Sequence, residues 1–288
     1  MTFRMAVPNK GRLNARAVEL ITKAGIDLGD GWDRRLNITV DDLGMEVLFV
    51  RAQDIPAFVN AGAIDMGITG EDMVAESGYD IKKVLDLDFG RCRLSVCTPE
   101  DSGIGPENYP DGMTVATSFP RVSRNYFDSI GADVHIVTVQ GAAEIMPYLG
   151  VSDVIVDLVA TGGTLRSNHL EEKDIILKSQ AAVFTSEKVL KDRDRKAQLD
   201  NLTDAIASVM AAEDRKYLMA DVPRNILEEV QGMLPGIGGC TVLEIAGTDD
   251  FVAVQAVVST GDMYRVVSEL KRMGAKGILS LDMERLVE

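Results

Sequence analysis

Apolar and polar positions along the first two thirds of the chain switch between two periods. Short apolar runs have the length and composition of strands: FRMAV, MEVLFV, IDMGI, MTVAT and VHIVTV. Between them, LNARAVELITKAG and SFPRVSRNYFDSIG place apolar residues three to four positions apart, as amphipathic helices do. Strand and helix patterns therefore alternate at short spacing. This order predicts α/β lobes with mostly parallel sheets.

Boundary signals mark several of the predicted helices. Gly25 ends the first helix pattern, and Asp54 has the position of an N-cap before a helix with Pro56 in its first turn. Thr69 and Asp72 have the spacing of a capping box ahead of EDMVAESG. GAAEIMPYLG is predicted to form a further helix that ends at its last glycine.

The pattern changes after residue 180. AAVFTSEKVL predicts a strand and a helix that return to the first lobe, and a long charged amphipathic helix follows. The remaining segments read strand, helix, strand, strand, helix, strand: KYLMADV, PRNILEEVQGML, CTVLEIA, DFVAVQAVV, GDMYRVVSELKRMG and KGILSLDM. This βαββαβ order is ferredoxin-like. Because the unit has no catalytic-looking cluster, we expect it to serve ligand sensing or assembly.

Length and charge exclude several classes of protein. The 288 residues suit two or three domains. The net charge of −15 argues against a nucleic-acid-binding protein, which needs a basic face. Local Lys and Arg residues can still bind an anionic small molecule inside a cleft. No stretch reaches the roughly 20 apolar residues of a membrane span, and the first residues lack the pattern of a signal peptide.

Cysteines and histidines offer little chemistry. Cys92, Cys97 and Cys240 form no Cys-x-x-Cys pair and cannot all be paired, so we expect small core residues in a reduced, cytoplasmic chain. His135 lies in an alternating strand pattern, and His169 lies in a loop without a neighbouring ligand residue. A zinc site or a Ser-His-Asp triad is therefore not expected.

The segment DVIVDLVATGGTL, residues 153–165, carries the clearest chemistry. Its apolar strand contains Asp157 and breaks into a Thr-Gly-Gly-Thr loop. Such a loop presents backbone N–H groups and hydroxyls to an anion. Asp157 would repel a phosphate but can accept hydrogen bonds from ribose hydroxyls, so the pair suits a sugar phosphate. For the loop alone, an ordinary glycine turn with Thr161 or Thr164 as a helix cap is the competing interpretation.

A weaker form of this segment occurs earlier, in GAIDMGITGEDM at residues 62–73. Both segments share Gly-x-x-Asp, an apolar strand and Thr-Gly. The match predicts two similar lobes that each offer a strand-end loop to one cleft, because open parallel sheets bind ligands at the carboxyl ends of their strands. Thr69 and Gly70 are therefore expected to face the cleft.

Cations at other predicted strand ends supply the opposite charge. Lys10 and Arg12 lie in the loop PNKGR, and Arg51 follows the strand MEVLFV. Because strand ends converge on a cleft and Arg can bind a phosphate through two hydrogen bonds, these positions favour phosphate binding. Arg121 and Arg124 follow TSFP, and Arg124 fits a solvated surface cation.

These motifs together resemble the ATP phosphoribosyltransferase family, whose members carry out the first step of histidine biosynthesis. The family's diagnostic segment has a Glu, five residues, a Gly, a small residue, an apolar-x-Asp strand and a Thr-Gly-x-Thr loop. Here it runs from Glu144 to Leu165. PNKGRL and VRAQDIPAFV also match family motifs, and the C-terminal unit resembles the regulatory domain of the long form.

The resemblance implies that N1 of the ATP adenine attacks C1′ of phosphoribosyl pyrophosphate and that pyrophosphate leaves. No covalent nucleophile is needed, so positioning and electrostatics dominate. Mg²⁺ is implied as a cofactor carried by the substrate phosphates, with no protein ligand assigned. By the family pattern, Asp157 binds the ribose hydroxyls. The remaining residues assigned to this substrate follow it in the loop: Thr161, Gly162, Gly163, Thr164 and Leu165.

Further roles follow from the same resemblance. Arg12 and Arg51 would steady the pyrophosphate as catalytic groups, and Lys10 would add charge. The residues assigned to the nucleotide or to the cleft are Gly11, Thr69, Gly70 and Glu144. Histidine is implied as a feedback inhibitor, bound by Asp221, Thr241 and Gly277. For Asp221, a helix-capping acid before Pro223 is the competing interpretation.

The implied fold is two periplasmic-binding-protein-like α/β lobes around a cleft, plus a C-terminal ferredoxin-like regulatory domain. Lobe I is expected at residues 1–92 with 180–212, lobe II with the phosphoribosyl pyrophosphate loop at 93–179, and the histidine-binding domain at 213–288. The long form further implies a homo-oligomer, either a dimer or a hexamer.

Two other functions fit parts of the sequence. A salvage-type phosphoribosyltransferase shares the apolar strand and Thr-Gly-Gly-Thr loop, but such enzymes usually carry two adjacent acids, whereas Leu158 follows Asp157. A non-enzymatic two-lobed solute-binding protein would share the lobes. The lack of a signal-peptide pattern and the additional sensing domain argue against it.

Overall fold

The computed structural model describes residues 2–234 and 239–287. The first part of the chain forms β1 (Phe3–Pro8), α1 (Asn14–Lys23), β2 (Asn37–Val40), β3 (Met45–Val50), α2 (Ile55–Asn60), β4 (Met66–Gly70), α3 (Glu71–Ser77), β5 (Lys82–Asp86) and β6 (Cys92–Pro99). The middle forms β7 (Met113–Thr117), α4 (Pro120–Ser129), β8 (Val134–Thr138), β9 (Val154–Val159), α5 (Gly163–Ser167), β10 (Leu170–Ser179) and β11 (Ala181–Thr185). The last part forms α6 (Glu187–Lys191), α7 (Arg193–Glu213), β12 (Arg215–Pro223), α8 (Leu227–Met233), β13 (Thr241–Glu244), β14 (Phe251–Ser259), α9 (Met263–Arg272) and β15 (Lys276–Asp282).

Two mixed sheets share one plan. The first sheet, with its helices called lobe I, has the order β2-β3-β1-β4-β11-β5, and the second, lobe II, has the order β10-β6-β9-β7-β8. Each lobe contains three parallel strands, β3-β1-β4 in lobe I and β8-β7-β9 in lobe II. Two further strands continue each sheet through antiparallel pairings, β11 and then β5 beside β4, and β6 and then β10 beside β9. The chain crosses between the lobes twice, between β5 and β6 and between β10 and β11.

The prediction of mostly parallel sheets is wrong, because antiparallel strands complete both of them. The parallel strands β1, β3, β4, β7 and β9 are mostly buried and read as apolar runs, which the hydrophobic pattern reveals. Four strands of these sheets were not predicted: β2, β5, β6 and β10. Of these, β5 and β10 carry several charged residues and are only partly buried. Their pairing with distant strands holds them in the sheet.

The repeat at residues 62–73 and 150–165 has a structural counterpart. Asp65, just before β4, accepts a hydrogen bond from the N–H of Arg4 at 2.8 Å and donates its own N–H to the Arg4 carbonyl at 2.9 Å. Asp153, just before β9, makes the same two bonds with Thr114, at 2.8 and 2.9 Å. Each aspartate thus fixes the start of a strand against its parallel neighbour, so both segments belong to the same framework.

Two local predictions near the cleft are corrected. GAAEIMPYLG forms a short 3-10 turn at Ala143–Ile145, not a full helix, and Pro147 lacks the N–H that a continuing helix would use. The helix α3 begins after Gly70 without a side-chain cap, so Thr69 and Asp72 do not form a capping box. Both side chains are buried and bonded elsewhere.

The third sheet is antiparallel, in the order β13-β14-β12-β15. With α8 and α9 it has the βαββαβ order of the ferredoxin-like fold, as predicted. Its core is formed by alternate residues of β12 and β14 with Val230 of α8 and Val266 of α9. Contacts divide the chain into two compact units, residues 1–19 with 27–203 and residues 20–26 with 204–288. The predicted fold class, two α/β lobes and a ferredoxin-like domain, is confirmed.

Within the described ranges, 2–234 and 239–287, no helix combines the length and the apolar character that crossing a membrane requires.

Candidate active site

Asp157 lies on β9, two residues before that strand ends. Its side chain is half-buried, and its Oδ1 accepts a hydrogen bond of 2.7 Å from the N–H of Leu158. Burial raises the pKa of Asp157; the Leu158 N–H opposes this shift, and the charge of Glu144 adds to it. The carboxylate is therefore held in a place where ionisation is costly without a ligand.

The loop after β9 remains open to solvent. Gly162 adopts a left-handed conformation, with φ of 73°, which turns the chain into α5. Thr161 and Thr164 are exposed, and across the described residues neither side chain has a hydrogen-bond partner. The first N–H groups of a helix have no partner inside the helix. The loop can therefore offer two hydroxyls and several N–H groups to an anion.

The residues of the diagnostic segment meet in one cavity of about 310 Å³. Its lining is contributed by the end of β9, the loop and the 3-10 turn: Glu144, Asp157, Leu158, Val159, Ala160, Thr161, Gly162, Gly163, Thr164 and Leu165. All six residues assigned from sequence to phosphoribosyl pyrophosphate thus lie together with Glu144. Two carboxylates and the unpaired groups of the loop therefore line the same cavity.

Arg93 on β6 supports this loop and was missed in the sequence analysis. Its guanidinium donates to the carbonyl of Ala160 at 3.2 Å, directly before Thr161. Arg93 also makes a two-point ion pair with Glu172 of β10, whose Oε2 lies 2.5 Å from Nη2, and the Ser95 hydroxyl donates to Glu172 at 2.6 Å. The ion pair lowers the pKa of Glu172. No local pattern joins residues 79 positions apart.

The predicted cations of lobe I lie at the carboxyl ends of neighbouring parallel strands. Arg51 directly follows β3 and is exposed, and Lys10 and Gly11 are exposed in the loop after β1. Arg12 lies in the same loop, where Nη2 is 3.2 Å from Oδ2 of the buried Asp72. Since β1 and β3 pair in register from Phe3 to Pro8, both loops leave the same edge of the sheet.

The expectation that Thr69 faces the cleft is wrong. Its side chain is fully buried, and its hydroxyl donates to the Ala52 carbonyl at 2.7 Å. Thr69 therefore fixes the backbone next to Arg51. Gly70 is also buried, and it stands before α3 with the Asp72 carboxylate packed against it.

A second cavity, of about 550 Å³, lies beside the two segments that cross between the lobes. Its lining includes three cations and two acids: Glu71, Asp88, Arg91, Cys92, Arg93, Ala160, Lys178, Ser179 and Gln180. Ala160 also lines the cavity at the end of β9, so the two cavities are neighbours. Together they offer more room than a sugar phosphate alone needs, with three cations in the larger cavity and two acids in each.

In the C-terminal unit, the structure brings two of the three predicted histidine-binding residues together. Asp221 lies within β12 and Gly277 within β15, where a Cβ added to Gly277 would be 3.0 Å from Asp221 Oδ2. Thr241 is on β13 and pairs with Gln255 of β14, so one strand separates it from β12. Asp221 is inside a strand, which rules out the competing interpretation of a helix cap.

Comparisons with known proteins agree with these features. Residues 51–208 match the family model HisG, ATP phosphoribosyltransferase, and residues 212–285 match the model of the HisG C-terminal domain. The ATP phosphoribosyltransferase of Gemmatimonas aurantiaca is 45% identical over 99% of this chain and 99% of its own length. The one from Haloarcula marismortui is also 45% identical, over 99% of this chain and 100% of its own.

Among solved structures, a chain of the ATP phosphoribosyl transferase (HisG:HisZ) complex from Thermotoga maritima superposes with a TM-score of 0.63. It is 26% identical and covers 71% of this chain and 98% of its own length. The family models and the full-length relatives thus account for both compact units. The chain belongs to the ATP phosphoribosyltransferase family, the glycosyltransferases of the first step of histidine biosynthesis, in its long form with the C-terminal domain.

Proposed function

We propose that this chain binds phosphoribosyl pyrophosphate at the end of β9 and transfers its phosphoribosyl group to N1 of the ATP adenine, forming N1-phosphoribosyl-ATP and pyrophosphate. One observation carries the proposal. Asp157 and the unpaired groups of the loop share a cavity of about 310 Å³. The cavity therefore combines an acceptor for ribose hydroxyls with donors for a phosphate. A ribose 5-phosphate moiety needs both kinds of group.

Each group in the cavity has a proposed role. Asp157 accepts hydrogen bonds from the two ribose hydroxyls, which compensates for its costly ionisation. Thr161 and Thr164, with the N–H groups of Gly162, Gly163 and Leu165, hold the 5′-phosphate. Glu144 is proposed to face the same ribose. Burial raises the pKa of Asp157, and the charge of Glu144 adds to this shift.

The cations of lobe I are proposed to act on the pyrophosphate. Arg12 and Arg51 follow the carboxyl ends of β1 and β3, and Lys10 adds charge in the same loop as Arg12. A leaving pyrophosphate gains negative charge as the C1′–O bond breaks, so fixed cations stabilise the transition state more than the ground state. Gly11, with φ of 84°, allows the loop to turn between these cations, and Gly70 leaves room for the Asp72 carboxylate.

Mg²⁺ is the cofactor that we propose for the polyphosphate substrates. Among the described residues, no group of three or more His, Cys, Asp or Glu could hold a metal ion. Magnesium in phosphate-transfer sites usually keeps several waters and is bound by one or two carboxylates plus substrate phosphates. Glu144 and Asp157 offer two carboxylates at the cavity. When bound, the ion would neutralise charge on the pyrophosphate.

Regulation and assembly are proposed on the resemblance to the long form. Asp221 and Gly277 lie side by side on β12 and β15, and with Thr241 they form the proposed histidine site, in which Asp221 accepts hydrogen bonds from the ligand's amino group. The proposed domain limits are residues 1–92 with 180–212, residues 93–179 and residues 213–288, which divide the chain by sheet and not by the two contact-defined units. A homo-oligomer, dimer or hexamer, and a cytoplasmic location with three free cysteines complete the proposal.

The reaction is tested by measuring pyrophosphate release with ATP, phosphoribosyl pyrophosphate and Mg²⁺, each omitted in turn. Turnover should require both substrates and give a product with the mass of phosphoribosyl-ATP. Turnover with free nucleobases instead of ATP would support the salvage-type alternative. Binding without any pyrophosphate release would support the solute-binding alternative.

The histidine site is tested with Asp221→Ala. We expect this variant to lose inhibition by histidine and to keep the uninhibited kcat, because residue 221 lies in the C-terminal sheet and not among the cavity residues. Glu228→Ala, an exposed acid of α8 in the same unit, is the control and should be inhibited like the wild type. Unchanged inhibition in Asp221→Ala would remove this residue from the site.

A further inference from the structure

We propose that Asp72 is a positioning residue that fixes the Arg12 guanidinium for catalysis, with Ser179 and Gly70 as parts of the same arrangement. The proposal rests on the proposed role of Arg12 in the reaction. It assigns a function to a buried acid that the sequence pattern suggested only as a helix cap. Asp72 does not itself reach the substrate in this view, because its carboxylate is fully buried.

Both carboxylate oxygens of Asp72 have fixed partners. Oδ1 accepts a hydrogen bond of 2.6 Å from the Ser179 hydroxyl, and Oδ2 lies 3.2 Å from Arg12 Nη2. The N–H of Asp72 in turn donates to the Ser179 oxygen at 3.0 Å. A buried carboxylate is strongly destabilising unless it is paired and hydrogen-bonded. The pairing with Arg12 therefore fixes the position of the cation as firmly as that of the acid.

The ion pair is asymmetric. The Asp72 side chain is 0% exposed, whereas the Arg12 side chain is 37% exposed. Nη2 of Arg12 thus contacts a buried acid, while part of the side chain remains open to solvent. Its Nη1 also donates to the carbonyl of Gly90. Two contacts from different segments restrict the rotation of this side chain, so its remaining N–H groups can meet a pyrophosphate oxygen with little loss of side-chain entropy.

The partners of this pair lie on both segments that cross between the lobes. Gly90 belongs to the crossing from β5 to β6, and Ser179 ends β10 at the crossing back to β11. Asp72 itself is the second residue of α3 in lobe I. A change in the lobe arrangement must move at least one of these partners, and the orientation of Arg12 would change with it. The orientation of the Arg12 guanidinium is therefore expected to depend on the arrangement of the two lobes.

Gly70 leaves the space that the Asp72 carboxylate occupies. A Cβ at residue 70 would overlap Asp72 Oδ1 and would lie 3.1 Å from its Cγ. The backbone of Gly70, with φ of −80° and ψ of 144°, is one that any residue adopts. The need for glycine here is thus the need for room beside the carboxylate, and not a backbone requirement.

The test is a double-mutant cycle on the full chain, with pyrophosphate release as the assay. Asp72→Asn keeps the shape and the Ser179 hydrogen bond but removes the charge that holds Arg12. We expect kcat to fall about tenfold with little change in either KM, as for a misplaced charge-stabilising group. In an Arg12→Ala background the same substitution should change kcat by less than about twofold, since residues that act through one another are not additive.

The matched control is Asp65→Asn. Asp65 is a buried acid of lobe I that pairs with Arg195 of α7. It lies at the amino end of β4, whereas Arg12 and Arg51 follow the carboxyl ends of their strands. It should lower the melting temperature and leave kcat unchanged. A purely structural role for Asp72 predicts the same result for Asp72→Asn, and that result would overturn the proposal.

Two further outcomes are decisive. Equal losses of kcat from Asp72→Asn with and without Arg12 would overturn the role of Asp72 while the proposed function stands. An unchanged kcat in Arg12→Ala would remove Arg12 from the proposed function, and Asp72 with it. If Asp72→Asn does not fold, Ser179→Ala replaces it: we expect a loss of about threefold in kcat that disappears in the Arg12→Ala background.

Discussion

The β4–α3 segment of lobe I and the β9–α5 segment of lobe II have the same backbone framework. They differ in whether their polar side chains form hydrogen bonds within the protein. In both, an aspartate pins the strand start to the neighbouring strand with two hydrogen bonds. In lobe I, the polar side chains at the end of β4 and the start of α3 are bonded inside the protein, because Thr69 donates to Ala52 and Asp72 binds Ser179 and Arg12.

In lobe II the corresponding groups stay available. Thr161 and Thr164 have no side-chain partner among the residues that the structure describes, and Asp157 accepts only the N–H of its neighbour Leu158 there. A closed loop and an open loop can therefore arise from one motif. The Thr-Gly pair therefore marks the connection from a strand to the following helix. Whether this connection can bind a ligand depends on whether its polar side chains lack partners in the protein. Among these groups, the half-buried Asp157 lowers stability, because its ionisation is costly until a ligand binds, whereas water can solvate the exposed threonine hydroxyls.

The largest expected effect tests the open loop at its acid. Asp157→Asn should lower kcat/KM for phosphoribosyl pyrophosphate about a thousandfold, because two charge-assisted hydrogen bonds to the ribose are lost. The same change should raise the stability of the ligand-free protein at neutral pH by about 1 kcal/mol. Steady-state kinetics and thermal unfolding measure the two effects.

The sign of the stability change follows from the raised pKa of Asp157. A carboxyl whose pKa is raised in the folded state begins to disfavour folding as the pH rises above its unfolded pKa, and the full cost is reached above its folded pKa. Below the unfolded pKa it has no such effect. The gain from Asp157→Asn should therefore vanish in acid. Normal use of phosphoribosyl pyrophosphate by this variant would contradict the assignment of the site.

The next effect tests Arg51, which pairs with no acid among the described residues. Arg51→Ala should lower kcat about a hundredfold while ATP binding changes little, as expected for loss of one preorganised charge-stabilising group. Arg35→Ala, an exposed cation before β2, is the control and should retain the wild-type kcat. A near-normal kcat in Arg51→Ala would remove this residue from catalysis.

A pair of matched substitutions compares the two loops directly. Thr69→Val should destabilise the protein by about 1–2 kcal/mol, because it leaves the Ala52 carbonyl without its donor, and should have a smaller effect on the KM for phosphoribosyl pyrophosphate. Thr164→Val should leave stability within about 0.5 kcal/mol, as for an exposed position, and raise that KM about tenfold. Denaturant unfolding and kinetics of both variants would show the opposite pattern if the loops had exchanged roles.

Much of the open loop could be predicted from sequence because its parts are contiguous. Asp157 and the four residues of Thr-Gly-Gly-Thr lie within eight positions, so strand, acid and loop can be read together. The βαββαβ unit was predictable for a similar reason, since each element keeps a clear apolar period.

The closed loop could not be predicted, because its contacts join distant parts of the chain. Asp72 reaches Arg12 across 60 positions and Ser179 across 107, and Arg93 reaches Glu172 across 79. Thr69 has a local capping spacing that competes with its actual partner, and only the folded lobe decides between them. Strands such as β10 were missed for the same reason, as pairing with β6 outweighs their weak apolar pattern.

The smallest expected effect sharpens the electrostatics of the open loop. Burial is the main cause of the raised pKa of Asp157, and the charge of Glu144 is a further cause. Because ribose binding needs the ionised acid, kcat/KM for phosphoribosyl pyrophosphate should fall in acid with an apparent pKa above the ordinary value of 3.8. Glu144→Gln removes one repelling charge, so this acid limb should move to lower pH.

The control for Glu144→Gln removes the same charge elsewhere. Glu107→Gln lies in an exposed loop of lobe II and changes the net charge equally, so its pH profile should match the wild type. A limb that moves upward or stays in place in Glu144→Gln would mean that the charge of Glu144 does not act on Asp157. The cavity would then contain two independent acids, and the raised pKa of Asp157 would rest on burial alone.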